Sequence, residues 1–556
     1  MPNPREELVF APLGGVGEIG MNLALYGFGS ERNRRWIVVD FGVAFAGDDL
    51  PGIDLIMPDI AYLLEERRNV LGIVLTHAHE DHFGALLDLW PRLRVPVYAT
   101  PFSAALLESK RLSEPLAPEI DVRAVPLGGR INLGPFEVEF VSVAHSIPES
   151  NALIIRTALG SVLHTGDWKI DPTPLLGPPT DESRLRALGD AGCLALVGDS
   201  TNAVREGRSP SEADVAKTLA GLIAEARGRV AVTTFASHVA RLRAVAAAAR
   251  AADREVVVVG RAMDRVVQVA RETGYLDGVQ DFLSAESYGY LPPDKVVALC
   301  TGSQGEPRAA LSRIARDEHP EVTLAKGDRV IFSARPIPGN EKAISGVING
   351  LVRQGVEVIT DRTHLVHVSG HPRRDEMRDM YGWVRPQIAL PVHGEALHLA
   401  EHAKLARAAG VKDVILCANG DLVRLAPGPT GVIDEVRAGR LYKDGRLIVD
   451  AEQRTVADRR RLGFAGIVTV AIALDQKGVM VANPEVSLIG IPLQNAEGDS
   501  IARIVDDVVI DTIEQLPKAR RRDPESVVEA VRGAVRSAIA DNWGKKPLCL
   551  VHVLTV

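Results

Sequence analysis

The sequence predicts a mixed α/β protein: a β-rich host, an α/β domain inserted into it, and a small α/β domain at the C-terminal end. Three observations predict this. The first 200 or so residues read as short β-branched runs cut by Gly- and Pro-containing turns. From about residue 209 strands alternate with Ala-rich helical stretches, the pattern of a parallel sheet. A histidine-rich region, His364 to His402, then returns to the texture of the first part.

In order, the strand-like runs of the first part are Trp36–Asp40, Gly72–Thr76, Phe136–Val143, Ser161–Thr165 and Leu194–Val197. Four of them lead directly into a metal-ligand residue type: Asp40, His77, His145 and Asp167. Loops just beyond strand ends are rigidly held places for reactive groups. Ser209 or Ser211 caps the first Ala-rich helix. Strands at Arg229–Thr234, Glu255–Gly260, Lys295–Cys300 and Asp328–Ser333 follow, separated by helical stretches. The expected division is a host over 1–208 and 370–429, an insertion over 209–369, a linker over 430–460 with little regular structure, and a C-terminal domain over 461–556. In that last domain the turn Asp475-Gln-Lys-Gly478 joins two strand-like runs, and Asp523 caps a helix with Pro524 at its first position.

Composition excludes some classes and leaves others open. At 556 residues, 46% hydrophobic and 24% charged, the chain has the usage of an ordinary globular protein of several domains. No apolar run is long enough to cross a bilayer, and the polar start Met1–Glu7 fits no targeting signal, so a cytoplasmic protein is expected. The net charge of −8 argues against a surface basic all over but leaves room for a local basic channel. Cys193, Cys300, Cys417 and Cys549 are far apart in apolar runs with no CxxC pair, so any metal falls to histidine and carboxylate.

The run Thr76-His-Ala-His-Glu-Asp-His82 is the strongest chemical signal. His77 and His79 alternate toward one side after an apolar strand, and Asp81 and His82 turn to serve a second ion, as a two-metal hydrolase requires. Gly15-Val-Gly-Glu-Ile-Gly20 matches a dinucleotide fingerprint, with Asp40 twenty residues beyond it. The residues after Gly20 alternate like a strand and offer no helix for a pyrophosphate, so these glycines read as a tight β-turn near the site.

The HxHxDH run resembles the signature of the metallo-β-lactamase superfamily. Asp40, His145 in Val143-Ala-His-Ser146, Asp167 in His164-Thr-Gly-Asp-Trp168 and His393 in Leu390-Pro-Val-His-Gly394 follow in that family's order. The resemblance implies an αββα sandwich and two Zn²⁺ ions per subunit, with Mn²⁺ or Mg²⁺ as substitutes. It implies His77, His79 and His145 on one ion, Asp81, His82 and His393 on the other, Asp167 bridging, and Asp40 orienting ligands by hydrogen bonds.

The insertion resembles the β-CASP nucleases, and most closely the ribonuclease J family. Asp199 in Val197-Gly-Asp-Ser-Thr201, His371 in His367-Val-Ser-Gly-His371 and His393 match its three extra motifs. Thr301–Pro307 and Pro336–Glu341 are similar too. The resemblance implies 5′-to-3′ exonuclease and endonuclease action on single-stranded RNA with a 5′-monophosphate, in rRNA processing and mRNA decay. Asp199 and His371 would serve as the acid/base pair, with Asp199 only tying down a strand end as the alternative. His367, Val368, Ser369, Gly370 and His371 form a short Gly-containing loop suited to an anion, or simply a tight turn; Ser237 and His238 are a second wall, with His238 where relatives commonly carry Asn. Self-association into a homodimer or larger assembly and membership of an RNA-degradation complex are implied, and no membrane. The alternatives are a DNA substrate, taken by members with valine at the position of His393, and a non-catalytic RNA-binding scaffold, which predicts a missing ligand. Asp48-Asp49 reads as solvated carboxylates, with an accessory cation as the alternative, and Lys518–Arg522 as a solvated basic face or an RNA contact.

Overall fold

The computed structural model describes residues 6–114, 116–337 and 339–556. Met1 to Arg5, in the start read against a targeting signal, and Pro338, within the stretch 336–341, lie outside the described residues. The chain divides into two compact units, one running to Phe45 and over Leu55–Leu441, the other comprising Ala46–Asp54 and Tyr442–Val556.

The first unit is built on two sheets packed face to face. One has eight strands, with Glu7–Gly14, Leu23–Gly29, Arg35–Val39 and Val70–Val74 at its centre. The other has seven, in the order Asp413–Val414, Ile388–Val392, Ala195–Asp199, Gly160–His164, Asn151–Thr157, Phe136–Ser142 and Arg130–Leu133. Strand alternation decides which residues meet. Phe10, Tyr26, Ile37 and Val39 from the first sheet share a buried core with Val138, Phe140, Leu153 and Ile155 from the second. Their neighbours Val141, Ile154, Leu163 and Leu196 point the other way, onto helices Glu182–Ala191, Arg374–Val384 and Ala396–Ala408. This is the sandwich expected from the sequence.

In the second sheet Gly160–His164, Ala195–Asp199 and Ile388–Val392 run parallel and adjacent. Their C-terminal ends therefore lie side by side, and Asp167, Asp199 and His393 leave from them. In the first sheet Arg35–Val39 runs parallel to Val70–Val74, and Asp40 and His77 follow their ends. Open α/β sheets place ligands at the carboxyl ends of parallel strands.

Parallel neighbours need a crossover, and the one from Asp199 to Ile388 carries the insertion. Within it lies an all-parallel sheet in the order Glu255–Val259, Val296–Cys300, Val230–Thr233, Arg329–Phe332, Glu357–Ile359. Its first helix, Glu212–Glu225, is capped by Ser211, whose hydroxyl accepts from the Ala213 N–H. Because the crossover starts at Asp199 and returns toward Ile388, the residues at its two ends meet.

The second unit contains the sheet Glu485–Ile489, Ile467–Leu474, Leu548–Thr555. Val468, Val470, Ile472 and Leu474 alternate onto Val505, Val509 and Ile513 of helix Ile501–Gln515 and Val527, Val531, Val535 and Ile539 of helix Pro524–Trp543. Asp523 caps the latter, with Pro524 at its first position. Two details differ from expectation. The turn at Asp475 closes through Gly478 N–H to the Asp475 carbonyl (2.9 Å), but only the Leu474–Met480 bridge follows, and the return strand is Glu485–Ile489. Residues 430–460, expected to have little regular structure, hold strands Gly431–Glu435, Arg440–Asp444 and Leu447–Asp450 and the start of helix Arg454–Ala465. These strands are largely solvent-facing and so carry little of the apolar alternation by which strands are read. Among the described residues no helix is long and apolar enough to cross a membrane.

Candidate metal centre

Three groups of ligand-type atoms converge, each with its atoms within 4.8 Å of one another: His77, His79, His145 and Asp167; Asp81, His82, Asp167 and His393; and Asp167, Asp199, His371 and His393. Asp167 is common to all three. Its Oδ2 stands 3.3 Å from His82 Nε2, 3.7 Å from His145 Nε2 and 3.8 Å from both His77 Nε2 and His371 Nδ1. Its Oδ1 is 3.4 Å from His393 Nε2.

Most of these imidazoles are held by their remote nitrogen. His82 Nδ1 meets Asp40 Oδ2 at 2.7 Å, His145 Nδ1 the Gly370 carbonyl at 2.7 Å, and His393 Nδ1 Asn22 Oδ1 at 2.9 Å. His77 Nδ1 lies 3.0 Å from Thr76 Oγ1, and that hydroxyl and the Thr76 N–H both bond to Asp40. A ring that donates from Nδ1 presents the lone pair of Nε2, which is how histidine is prepared as a ligand. Gly370 is required for the approach, since a Cβ there would meet His145 at 2.6 Å. Asp40 and His393 both have positive φ, at 63° and 52°, a strain of the kind found at functional sites.

The electrostatics suit cations. Burial holds His77 and His145 well below the usual histidine range and brings His79 down to about 4, so these rings are neutral. His82 is opposite: burial disfavours its charge, but Asp167, Asp81 and Asp40 outweigh it and raise its pKa. Burial also works against the Asp167 carboxylate, yet His393, His82 and His371 keep it ionised. Asp167 Oδ1 and His393 Nε2 are buried without a hydrogen-bond partner, and His79 Nδ1 sits 3.1 Å from the Nε2 atoms of both His77 and His145. Acceptor atoms so crowded lack a positive centre among them, and the donor set of imidazole and carboxylate fits a divalent cation.

Beside the cluster, Asp199 Oδ2 meets His371 Nδ1 at 2.8 Å, while Asp199 Oδ1 accepts from the Thr201 N–H at 2.9 Å. One oxygen ties the strand end and the other is free for His371. Burial opposes the His371 charge, but Asp199 and Asp167 raise its pKa to about 9. Asn202 braces the His367–His371 loop, with Nδ2 on Ser369 Oγ (2.9 Å) and the His371 carbonyl (3.1 Å). Val368 and His238 are buried. His238 Nε2 faces Glu212 Oε1 at 3.2 Å, so its ring turns into the interior, whereas Ser237 is half-buried. His367 is held below the usual histidine range by burial and by Arg241, and its Nδ1 has no partner.

Gly15, Gly17 and Gly20 all have positive φ, and the Gly15 carbonyl accepts from the His393 N–H at 2.7 Å. This turn leads into strand Leu23–Gly29 and seats His393. Asp48 and Asp49 are exposed, and Asp49 Oδ2 lies 3.7 Å from Arg460 Nη2. Lys518–Arg521 is a short helix with no buried residue. Sequence reasoning missed Asn22, Thr76 and Asn202. Only their adjacency to the Gly15–Gly20 turn, the HxHxDH run and the Asp199 motif could have signalled them.

Family models match the chain in four stretches. These are the metallo-beta-lactamase superfamily over residues 31–260, the ribonuclease J beta-CASP domain over 227–351, a Zn-dependent metallo-hydrolase RNA specificity domain over 355–417, and the ribonuclease J C-terminal domain over 454–556. Ribonuclease J of Sinorhizobium meliloti is 56% identical over 551 residues, 99% of this chain and 98% of that protein. The Mycolicibacterium smegmatis ribonuclease J is 39% identical, over 98% of this chain and 96% of that protein. For that of Corynebacterium glutamicum the figures are 38%, 99% and 76%. Among solved structures, a protein of unknown function from Enterococcus faecalis matches with a TM-score of 0.53 at 17% identity, over 75% of this chain and all of that one, a likeness of fold alone.

Proposed function

The chain belongs to the ribonuclease J family, and from that membership we propose a 5′-to-3′ exonuclease preferring 5′-monophosphorylated single-stranded RNA, with endonuclease action as a second mode. It is a metal-dependent ribonuclease. The RNA specificity model over 355–417, which spans His371 and His393, supports RNA over DNA.

In this reading His77, His79, His145 and Asp167 hold one cation and Asp81, His82, His393 and Asp167 the other, both zinc, with manganese or magnesium as substitutes. Bound there, the cations would supply Lewis-acid charge to the phosphate and lower the pKa of water. The chain's own work is positional and protonic. Asp40, Thr76, Asn22 and the Gly370 carbonyl fix the imidazoles. His371, kept protonated by Asp199, gives its proton to the departing 3′-oxygen, and Asp199 orients it. The His367–His371 loop and Ser237 receive the 5′-phosphate, and His238, read from the sequence as part of that wall, is buried behind it against Glu212. The observation that carries this reading is the 2.8 Å Asp199–His371 pair standing against the Asp167 cluster.

The proposed domain limits are those read from the sequence, with the insertion over 209–369. A homo-oligomer acting in the cytoplasm within an RNA-degradation complex completes the proposal. A time course on end-labelled RNA bearing a 5′-mono- or 5′-triphosphate tests it. Immediate mononucleotide release from the monophosphate alone is expected; RNA left as intact as with His79→Ala would overturn it.

A further inference from the structure

Three segments are held at the His367–His371 loop by hydrogen bonds. Asn202 donates to Ser369 and His371 as described, and Ser333 Oγ donates to the Val366 carbonyl at 2.7 Å. Two or three residues beyond Asn202, Ser333 and His371 stand Arg205, Arg335 and Arg373, all half-buried. The Arg374 N–H donates to the Arg205 carbonyl at 3.0 Å, which fixes the first of these segments against the third.

The charge of this trio is not matched. Arg335 Nε is 3.9 Å from Asp361 Oδ2, the outer limit of an ion pair. Arg205 makes no ion pair among the described residues, and the buried Nε of Arg373 has no hydrogen-bond partner. Burial, Arg335 and Arg373 together hold Arg205 below the usual arginine range, with Asp361 opposing. Arg335 is lowered by burial and by Arg373, again against Asp361. By contrast Arg374, the next residue, is neutralised by Glu206 at 2.8 Å and Glu401 at 3.4 Å. Three guanidinium groups partly withdrawn from water, of which Arg205 and Arg335 share one distant carboxylate and Arg373 has no ion pair among the described residues, lack an anion with several oxygens in a chain of net charge −8.

We propose that Arg205, Arg335 and Arg373 form a phosphate-binding site on the RNA path, beside the His367–His371 loop and apart from the metal ligands. The inference rests on the ribonuclease reading above. The phosphate has two sources with the same chemistry: the 5′-terminal monophosphate or a phosphodiester further along the strand.

The test measures binding of cleavage-resistant phosphorothioate RNA, with a 5′-monophosphate or a 5′-hydroxyl, to the metal-loaded full chain over a salt series. Arg205→Gln, Arg335→Gln and Arg373→Gln are each expected to weaken binding about 5–10-fold at low salt and to flatten the slope of log K against log salt by about 0.7 per lost contact. Arg335→Lys, which keeps the charge, is expected to retain the slope and so separates charge from packing. Weakening confined to the 5′-monophosphate RNA assigns the terminal phosphate, and equal weakening of both RNAs assigns an internal one. Unchanged affinity and slope in all three glutamine variants, with wild-type binding intact, would overturn the site. Wild-type protein that neither binds nor cuts RNA would instead overturn the ribonuclease reading, and the inference with it.

Discussion

Arg241 donates from Nη1 to the Val366 carbonyl at 2.9 Å, from a side chain with no exposure to solvent. The same nitrogen reaches the Ser333 carbonyl at 3.0 Å, and Nη2 takes both oxygens of the buried Glu212, at 3.1 and 2.9 Å. Val366 immediately precedes the His367–His371 loop, so that loop hangs from a buried cation. Glu212 also faces His238, and its N–H donates to Asp171, which pairs with the buried Lys169 at 2.9 Å. Lys169 and Asp171 come from the host and Glu212, His238 and Arg241 from the insertion.

Breaking one partner of such a pair leaves an uncompensated buried charge. Arg241→Met is expected to cost about 3–5 kcal/mol, read as a lowered urea midpoint. Replacing Glu212 as well, by Leu, should return part of that loss, because the second charge is then gone. A double variant no more stable than the single one would count against the pairing.

Asp199→Asn and His371→Gln remove the proposed proton donor or its orienting partner. Each is expected to lower kcat by about 10²–10⁴-fold while bound metal, measured on the purified protein, stays at the wild-type ratio. Loss of metal in parallel with activity would make His371 a ligand instead.

Asp40 touches no proposed ion position, yet it holds His82 at 2.7 Å and Thr76 beside His77. Asp40→Asn is therefore expected to weaken metal binding by about 10–100-fold in chelator competition, with activity recovered in excess metal. Asn22→Ala should act likewise through His393.

Glu139 accepts from Arg184 at 2.6 Å through each oxygen, from Arg156 at 2.6 Å and from Arg130 at 3.2 Å. Burial raises its pKa, but Arg184 and Arg156 prevail and bring it to about 2. A carboxylate depressed in the folded state stabilises fully above its unfolded value and loses that contribution as pH falls through the folded one. Stability should thus decline between about pH 4.3 and pH 2, by about 1–2 kcal/mol from this group after screening at the solvent-facing arginine ends. Glu139→Gln should remove that part of the slope in acid denaturation.

The strands bearing Asp40, His77, Asp167 and Asp199 were legible because their apolar residues are buried and regularly spaced. The strands within 430–460 were not, because solvent-facing strands need no apolar alternation. Nor were Asn22, Thr76 and Asn202. A short polar side chain in a loop says nothing of its partner until the chain brings one within 3 Å or so.

By itself the sequence determined the candidate ligand types and their order along the chain: seven histidines and carboxylates at or shortly beyond strand ends, with no cysteine pair to compete for a metal. Tertiary structure alone decided that Asp167 stands among all of them, and that Asp199 and His371, 172 positions apart, meet across the ends of one crossover. It also decided that Lys169, Asp171, Glu212 and Arg241 neutralise one another out of water. The reason is physical. Periodicity and spacing are local and survive in one dimension, whereas a charge pair exists only through proximity and burial, which distant segments create together on folding.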